Sequence, residues 1–469
     1  MRALKAFFGV KDQDGKPLSS GEVKKLYRDT VSIAWPSTVA GALMSIIGSI
    51  DTMMVGTLGA AAIAAVGLTN QPRMIMLVLA QALCIGTTAL CARRKGAQDQ
   101  AGANSCMNQS LFIVTAIGIL MTLLGWFGAE PLMLLGGANE DTLAMSTEYF
   151  QIVSLSFLPI CWRLCICAAL KAIGKTRITM MTNVIANVVN VILNWLLIGG
   201  NLGFPALGVR GAAIATSIGN TVSSVICFGV VLSKHGYFRL SIPKFDRTTL
   251  SGLFKVGSSS MAESVCLRVG FLILARLIAG IGTNAFAAYQ IVSQVTSLSF
   301  TLGDGVSTAG TSLVGQSLGA KRKDLARAYS KVAYRVGLIA AFLLIVVIAV
   351  FQRQIALLFT TDEEIIRGVT LSLYVVILSM ASQNGRVVQS GVLRGAGDVK
   401  FVAYCALLSV TILRPVLTWL FCYPIADLLP GMYIDVTAPW IAFLFDSIIR
   451  DRLMARRIKQ GKWLDIKLS

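Results

Sequence analysis

Histidine is all but missing from this chain: His235 is the one example in 469 residues. Its scarcity removes the commonest general base and the commonest metal ligand, and no HExxH, Walker or GxSxG pattern takes their place. Charge is thin too, at 14% of residues against about 25% in an ordinary soluble protein. An enzyme is therefore not expected, and no stretch can be marked off as a soluble domain. A secretory signal is not expected either. Met1–Arg28 is polar and basic, and the first apolar run, from Val31, is too long for a signal core.

What fills the chain is apolar: 55% hydrophobic residues and a mean hydropathy of +0.71. The runs are each near the roughly 20 residues a helix needs to cross hydrocarbon. Twelve spans are expected, over 31–57, 62–92, 107–127, 145–170, 178–199, 211–233, 257–281, 285–316, 332–352, 367–392, 401–422 and 436–455. The second, fourth, eighth and tenth exceed the hydrocarbon thickness, so tilt or protrusion is expected there. Ten cysteines lie almost entirely in these runs. Cys161, Cys165 and Cys167 lack the polar second shell of a zinc site. They are expected to pack as small apolar residues, with no metal and no cofactor beyond a coupling ion.

The net charge of +19 raises the question of nucleic acid, but its distribution answers it. Of the 42 Lys and Arg, 33 fall at the termini and in alternate loops, and three, Arg210, Arg353 and Arg367, in the opposing loops. Positive residues stay cytoplasmic, so both termini are expected inside a plasma membrane, without a nucleic-acid partner.

An internal duplication underlies the spans. An offset of 223 pairs Gly59 with Gly282, Gln71 with Gln294, Thr88 with Thr311, Gly96–Ala97 with Gly319–Ala320, Arg163 with Arg386 and Gly174 with Gly397. Six helices per copy make the repeat parallel, with an axis along the membrane normal and a substrate site expected between the halves. The expected division is a segment 1–30, a six-helix half 31–233, a linker 234–256, a second half 257–455 and a tail 456–469.

Ionisable groups in hydrocarbon are candidates for function by default, at roughly 2.5–3.5 kcal/mol each on insertion scales. Four acids qualify: Asp51, Glu263, Asp304 and Asp446. Asp51 lies about 12 Å from the outer end of its helix at 1.5 Å per residue, deep enough to load and release a proton. Pro36 marks a bend earlier in the same helix. Asn183, Asn187, Asn190 and Asn194 form one helical stripe, which faces protein or water, or acts as interhelical glue. Asp304, flanked by Gly303 and Gly305, and Glu263 are candidates for binding a cationic compound, or for pairing with Arg268 or another buried arginine. Asp446 is expected to pack. Six arginines also fall inside spans. Arg163 and Arg386 either snorkel to the cytoplasmic side or line a cavity that admits anionic or zwitterionic substrates.

Several stretches resemble the multidrug and toxic compound extrusion (MATE) family: Ser49-Ile-Asp-Thr-Met-Met-Val-Gly56, Leu313-Val-Gly-Gln-Ser-Leu-Gly-Ala320, Leu393-Arg-Gly-Ala-Gly-Asp398 with its first-half counterpart Leu170–Thr176, Gly211-Ala-Ala-Ile-Ala-Thr216, and Gly461-Lys-Trp463. The resemblance runs from about residue 30 to the end. It implies an all-α membrane protein of twelve helices in two bundles, a monomer exporting small organic compounds against inward H⁺ or Na⁺. On the family pattern Asp51, Asn190 and Asn194, with Thr216 and Tyr149, form the ion or proton site. Glu263, Asp304, Gln294, Arg163 and Arg386 are the candidates for substrate. The family's NorM-like branch is similar in carrying further acids at positions that fall here on Gln383 and Leu267. Their absence points toward the DinF-like branch, with coupling resting on Asp51 and H⁺ expected ahead of Na⁺. The alternative is a flippase or exporter for lipid-linked or anionic metabolites.

Overall fold

The structure, a computed structural model, describes residues 19–233, 236–360, 362–425 and 434–466. Residues 1–18 of the expected N-terminal segment, Lys234 and His235 of the linker, and the last three residues of the tail lie outside the described residues.

Every regular element among the described residues is helical. Helices α1 (Ser20–Gly56), α2 (Ala60–Gly96) and α3 (Gln100–Phe127) lead to a short α4 (Ala129–Leu135). Then come α5 (Glu140–Ser154), α6 (Phe157–Ala172), α7 (Thr176–Gly199) and α8 (Gly208–Leu232). Beyond the linker lie α9 (Arg247–Ala279), α10 (Thr283–Gly319), α11 (Lys323–Leu357) and α12 (Glu363–Ala396). The chain ends on α13 (Val399–Ala406), α14 (Arg414–Leu420) and α15 (Ile434–Gln460), with π-helical turns at Leu407–Leu413 and Phe421–Ile425.

All twelve expected spans coincide with these helices. Among the described residues, eight continuous helical runs are long and apolar enough to cross a membrane on their own, and the α5–α6 pair makes a ninth. The other three expected spans, α9, α10 and α15, are long enough at 33, 37 and 27 residues. They are also where Glu263, Arg268, Arg276, Asp304, Asp446 and Arg450 sit. Their lower apolarity comes from these charged groups, of which Glu263, Asp446 and Arg450 are buried in protein.

Two spans are not the single α-helices expected. The fourth breaks between Ser154 and Phe157, with a bend of 47°. Pro159 supplies no N–H for the Leu155 carbonyl, which removes a bond of the ladder at that point. The eleventh shifts into π register just before Pro415, whose missing N–H would have served Thr411. α1, by contrast, runs on through Pro36.

The chain forms two compact units. The N-terminal unit is Val39–Ser258; the C-terminal unit is the chain up to Thr38 together with the chain from Ser259 on. The division thus falls inside α1 rather than before it. Leu26, Ile33 and Ala34 of α1 are buried in one apolar core with Val306, Val332, Val388, Val392 and Met454, and burial of that size fixes a helix end to its neighbours.

The duplication is visible in the backbone. With the same offset of 223, α2 and α10 begin and end on equivalent residues, and α5 and α12, like α7 and α13, start on equivalent ones. Gln98 and Lys321 both adopt φ near +58° (59° and 58°), and Gly174 and Gly397 both turn the chain at φ 82° and 85°. Glycine holds that left-handed conformation without steric cost. Thr88 Oγ1 donates to the Ala168 carbonyl at 3.3 Å, as Thr311 Oγ1 donates to the Gly391 carbonyl at 2.8 Å. In the C-terminal unit, α10 and α12 come close because Gly391 and Gly395 face Ser307 and Thr311. A Cβ on Gly391 would stand 2.5 Å from the Ser307 carbonyl oxygen.

The expected linker is partly helical, since α9 already starts at Arg247. The rest lies along α3. Gln100 Nε2 donates to the Tyr237 carbonyl at 2.8 Å, Asn108 Nδ2 to the Arg239 carbonyl at 3.0 Å and Gln109 Nε2 to the Lys244 carbonyl at 2.9 Å. Asp246 caps α9, accepting from the Thr248 and Thr249 N–H groups and hydroxyls. These donors, the Thr248 hydroxyl first, hold its carboxyl down at about 2.

Candidate functional site

Each unit encloses a cavity, and the two differ in charge. In the N-terminal unit α7 and α8 pack tightly. Gly211 sits where a Cβ would meet the Leu197 carbonyl oxygen at 2.5 Å, and Gly219 approaches Asn190. That contact sets Thr216 of α8 beside the C-terminal half of the asparagine stripe. Asn194 Nδ2 donates to Asp51 Oδ1 at 2.8 Å. In the amide orientation that satisfies both of its ends, Asn190 donates to the same carboxylate at 2.9 and 3.1 Å and accepts from the Thr216 N–H at 3.2 Å. Tyr149, buried on α5, directs its hydroxyl toward Thr216.

Asp51, Tyr149, Asn194 and Thr216 line a cavity of about 330 Å³ with Asn70 and Arg73 of α2. Arg73 donates to Asn70 Oδ1 at 3.3 Å and acts electrostatically on both Asp51 and Tyr149. All five residues expected to form the ion or proton site are thus brought together: four line the cavity, and Asn190 holds the carboxylate. Arg73 belongs with them as the cation facing the acid. Its place inside a span is visible in the sequence, but nothing there matches it to Asp51.

The N-terminal half of the stripe does something else. Asn183 accepts from Arg163 Nη1 at 3.2 Å, so Arg163 is held within its own bundle.

In the C-terminal unit a cavity of about 350 Å³ is lined by α9, α10, α12, α15 and the segment around α14. Glu263 is buried and paired with Arg394 at 2.5 Å. Its partner is therefore the arginine of the Leu393–Asp398 motif, and not Arg268. Asp304 stands on the lining, within electrostatic reach of the same Arg394. Arg386 lines the cavity as well, so the two arginines equivalent in the repeat are not equivalent in use. Gln294 is exposed on α10 and is not among the lining residues. Leu267 and Gln383, where acids would fall on the NorM-like pattern, both line this cavity uncharged.

Position along the chain groups Arg394 and Arg450 with the cytoplasmic positive residues, yet both line the cavity. Arg450 lies four residues after Asp446 on α15, one turn on, and follows from helical spacing rather than from loop charge. The topological asymmetry survives their removal from it.

The comparisons with known proteins bear on the family and the fold. The MatE family model matches twice, over residues 36–196 and 260–420, once in each copy of the repeat. The chain is similar to the uncharacterized transporter YisQ of Bacillus subtilis, 27% identical over 439 residues that cover 92% of this chain and 94% of that one. It is similar as well to the probable multidrug resistance protein NorM of Thermotoga maritima, 25% identical with 95% of each chain covered. A solved structure of a multidrug resistance MATE family transporter in its outward-facing conformation has the same fold, with a TM-score of 0.85 at 20% identity over 93% of this chain and 97% of that one. With the family model matched in both copies of the repeat and the fold shared with a solved MATE transporter, the chain belongs to the MatE family of multi-pass membrane transporters.

Proposed function

We propose that this transporter is a secondary antiporter that exports organic compounds from the cell in exchange for protons. It would sit in the cytoplasmic membrane with both termini inside, a placement supported by the distribution of Lys and Arg. The observation that carries the reading is the setting of Asp51. A lone carboxylate inside a span is held by two asparagine amides and faced by one arginine, in a cavity of about 330 Å³. A group in that position can take a proton from one side and release it to the other as access alternates. The relatives named for multidrug resistance support export of organic compounds as the coupled flux.

Na⁺ is the competing ion. The atoms that meet Asp51 most closely are amide N–H donors, which hold a carboxylate charge. A hard cation takes oxygen ligands instead, so the donor set favours H⁺, as does the DinF-like pattern of a single first-half acid.

The test is uptake of a fluorescent drug panel into proteoliposomes under separately imposed pH and Na⁺ gradients. Outward movement of protons from acid-loaded vesicles is expected to drive uptake, and Asp51→Asn to abolish it. Transport driven by neither gradient, or an Asp51→Asn protein that keeps gradient-driven flux, would overturn the reading.

A further inference from the structure

The C-terminal cavity carries more cationic donors than its own acids use. Arg386, Arg394, Arg414 and Arg450 all line it, against Glu263 and Asp304. Arg394 is taken by Glu263. The other three make no ion pair with a carboxylate among the described residues, and their Nε atoms have no hydrogen-bond partner there. Arg414 and Arg450 are each only 4% exposed. Two further acids stand nearby. Asp451 is engaged by Gln389 at 2.8 Å and by Tyr334. Asp446 is fully buried with neither oxygen hydrogen-bonded, so it opposes the charge without satisfying any guanidinium N–H.

Two of these arginines lie over aromatic faces. The Arg414 guanidinium lies 4.6 Å from the ring centre of Phe443 and 5.6 Å from that of Phe271, and Arg386 lies 5.8 Å from Phe443. Stacking occupies the faces of a guanidinium and leaves its in-plane N–H edge free, and that edge matches a carboxylate or phosphate. The π-helical turn Leu407–Leu413, directly before Arg414, sets the register that brings this side chain in. The remaining wall is largely apolar and aromatic, with Leu267, Phe300, Tyr289 and Trp440, and carries neutral polar groups such as Thr296 and Gln383.

We infer that the C-terminal cavity is a binding site for an amphiphilic organic anion. Its carboxylate or phosphate head is received by Arg386, Arg414 and Arg450, and its apolar body lies on the aromatic wall. As a substrate site it rests on the transport reading above; as a binding site it stands alone. A soluble organic acid and the head of an anionic lipid share this chemistry.

The probe is 7-methoxycoumarin-3-carboxylate, with its methyl ester as the uncharged twin, titrated into the full chain in neutral detergent and followed by fluorescence anisotropy. The carboxylate is expected to bind saturably and the ester far more weakly. Arg414→Gln and Arg450→Gln are each expected to weaken the carboxylate roughly tenfold or more, as loss of a charge-assisted donor would. Arg353→Gln, at an exposed arginine outside the cavity, is expected to leave it unchanged. Equal binding of acid and ester, or both cavity variants binding like the parent, would overturn the inference. Should those variants fail to fold, salt titration of the unmodified protein decides: a selective loss of the carboxylate supports the site, and parallel behaviour of acid and ester sinks it. Displacement by dihexanoylphosphatidylglycerol but not by dihexanoylphosphatidylcholine supports the site with a lipid head as occupant; no displacement supports it with a soluble acid. Binding is read without any gradient, so failure of coupled transport leaves this result standing.

Discussion

The N-terminal cavity depends on a short list of atoms. Asn194 is the best single handle on it, because it donates directly to Asp51 at 2.8 Å while its own carbonyl oxygen is buried without a partner. Hydrogen bonds to charged groups contribute about 1.5–3 kcal/mol. Asn194→Ala is therefore expected to cut proton-driven transport roughly tenfold or more in the proteoliposome assay. Parent-like flux with an unchanged pH profile would show that Asn194 only packs. Much of this site is legible in the sequence. Asp51 stands out as an acid in an apolar run, and the stripe of four asparagines follows from helical period alone. Arg73, Arg394 and Arg450 are readable as residues but not as partners, because pairing across helices is fixed by crossing geometry that one sequence does not carry. Glu263 shows the limit most plainly. Several arginines are available to it, and only packing selects Arg394.

At the scale of elements, close approach between helices rests on residues without side chains. Gly391 and Gly395 meet Ser307 and Thr311 backbone atoms, so an added methyl has nowhere to go. Overpacking of this kind costs about 1–3 kcal/mol, and Gly391→Ala is expected to lower thermal stability in detergent accordingly. Gly229 is the contrast. Nothing lies within 4 Å of a Cβ built there, and a helical Gly→Ala change in open space is neutral or stabilising by up to about 1 kcal/mol. Equal melting shifts for the two variants would show that the α10–α12 approach is not tight. The breaks in the fourth and eleventh spans belong to this scale as well. Pro159 and Pro415 are present as signals, and the long apolar runs around them mask both, since hydropathy reports burial in lipid and not the integrity of a hydrogen-bond ladder.

For the molecule as a whole, the linker is the segment whose order matters most. Four side chains of α3, Gln100, Asn104, Asn108 and Gln109, hold its main chain from Tyr237 to Lys244. Neutral hydrogen bonds of this kind contribute about 1 kcal/mol each. Removing two of them together, by combining Asn108→Ala with Gln109→Ala, is expected to speed limited trypsin cleavage after Arg239 and Lys244 on the order of tenfold. A cleavage rate equal to the parent's would mean that these side chains do not restrain the segment. Composition marks this stretch only as basic and connecting. Its attachment depends on amide side chains that are ordinary in sequence and become a ladder only once α3 is helical, at positions 100, 104 and 108.

The shared offset of 223 makes each copy of the repeat a built-in reference for the other. Thr88 and Thr311 perform the same helix-to-helix bond in surroundings of different charge, and Gly174 and Gly397 the same turn. Any substitution made at one member of such a pair can be repeated at its twin, in the same polypeptide and the same membrane. What is common to the two outcomes measures the scaffold, and what differs measures the chemistry that each copy has acquired since it was duplicated.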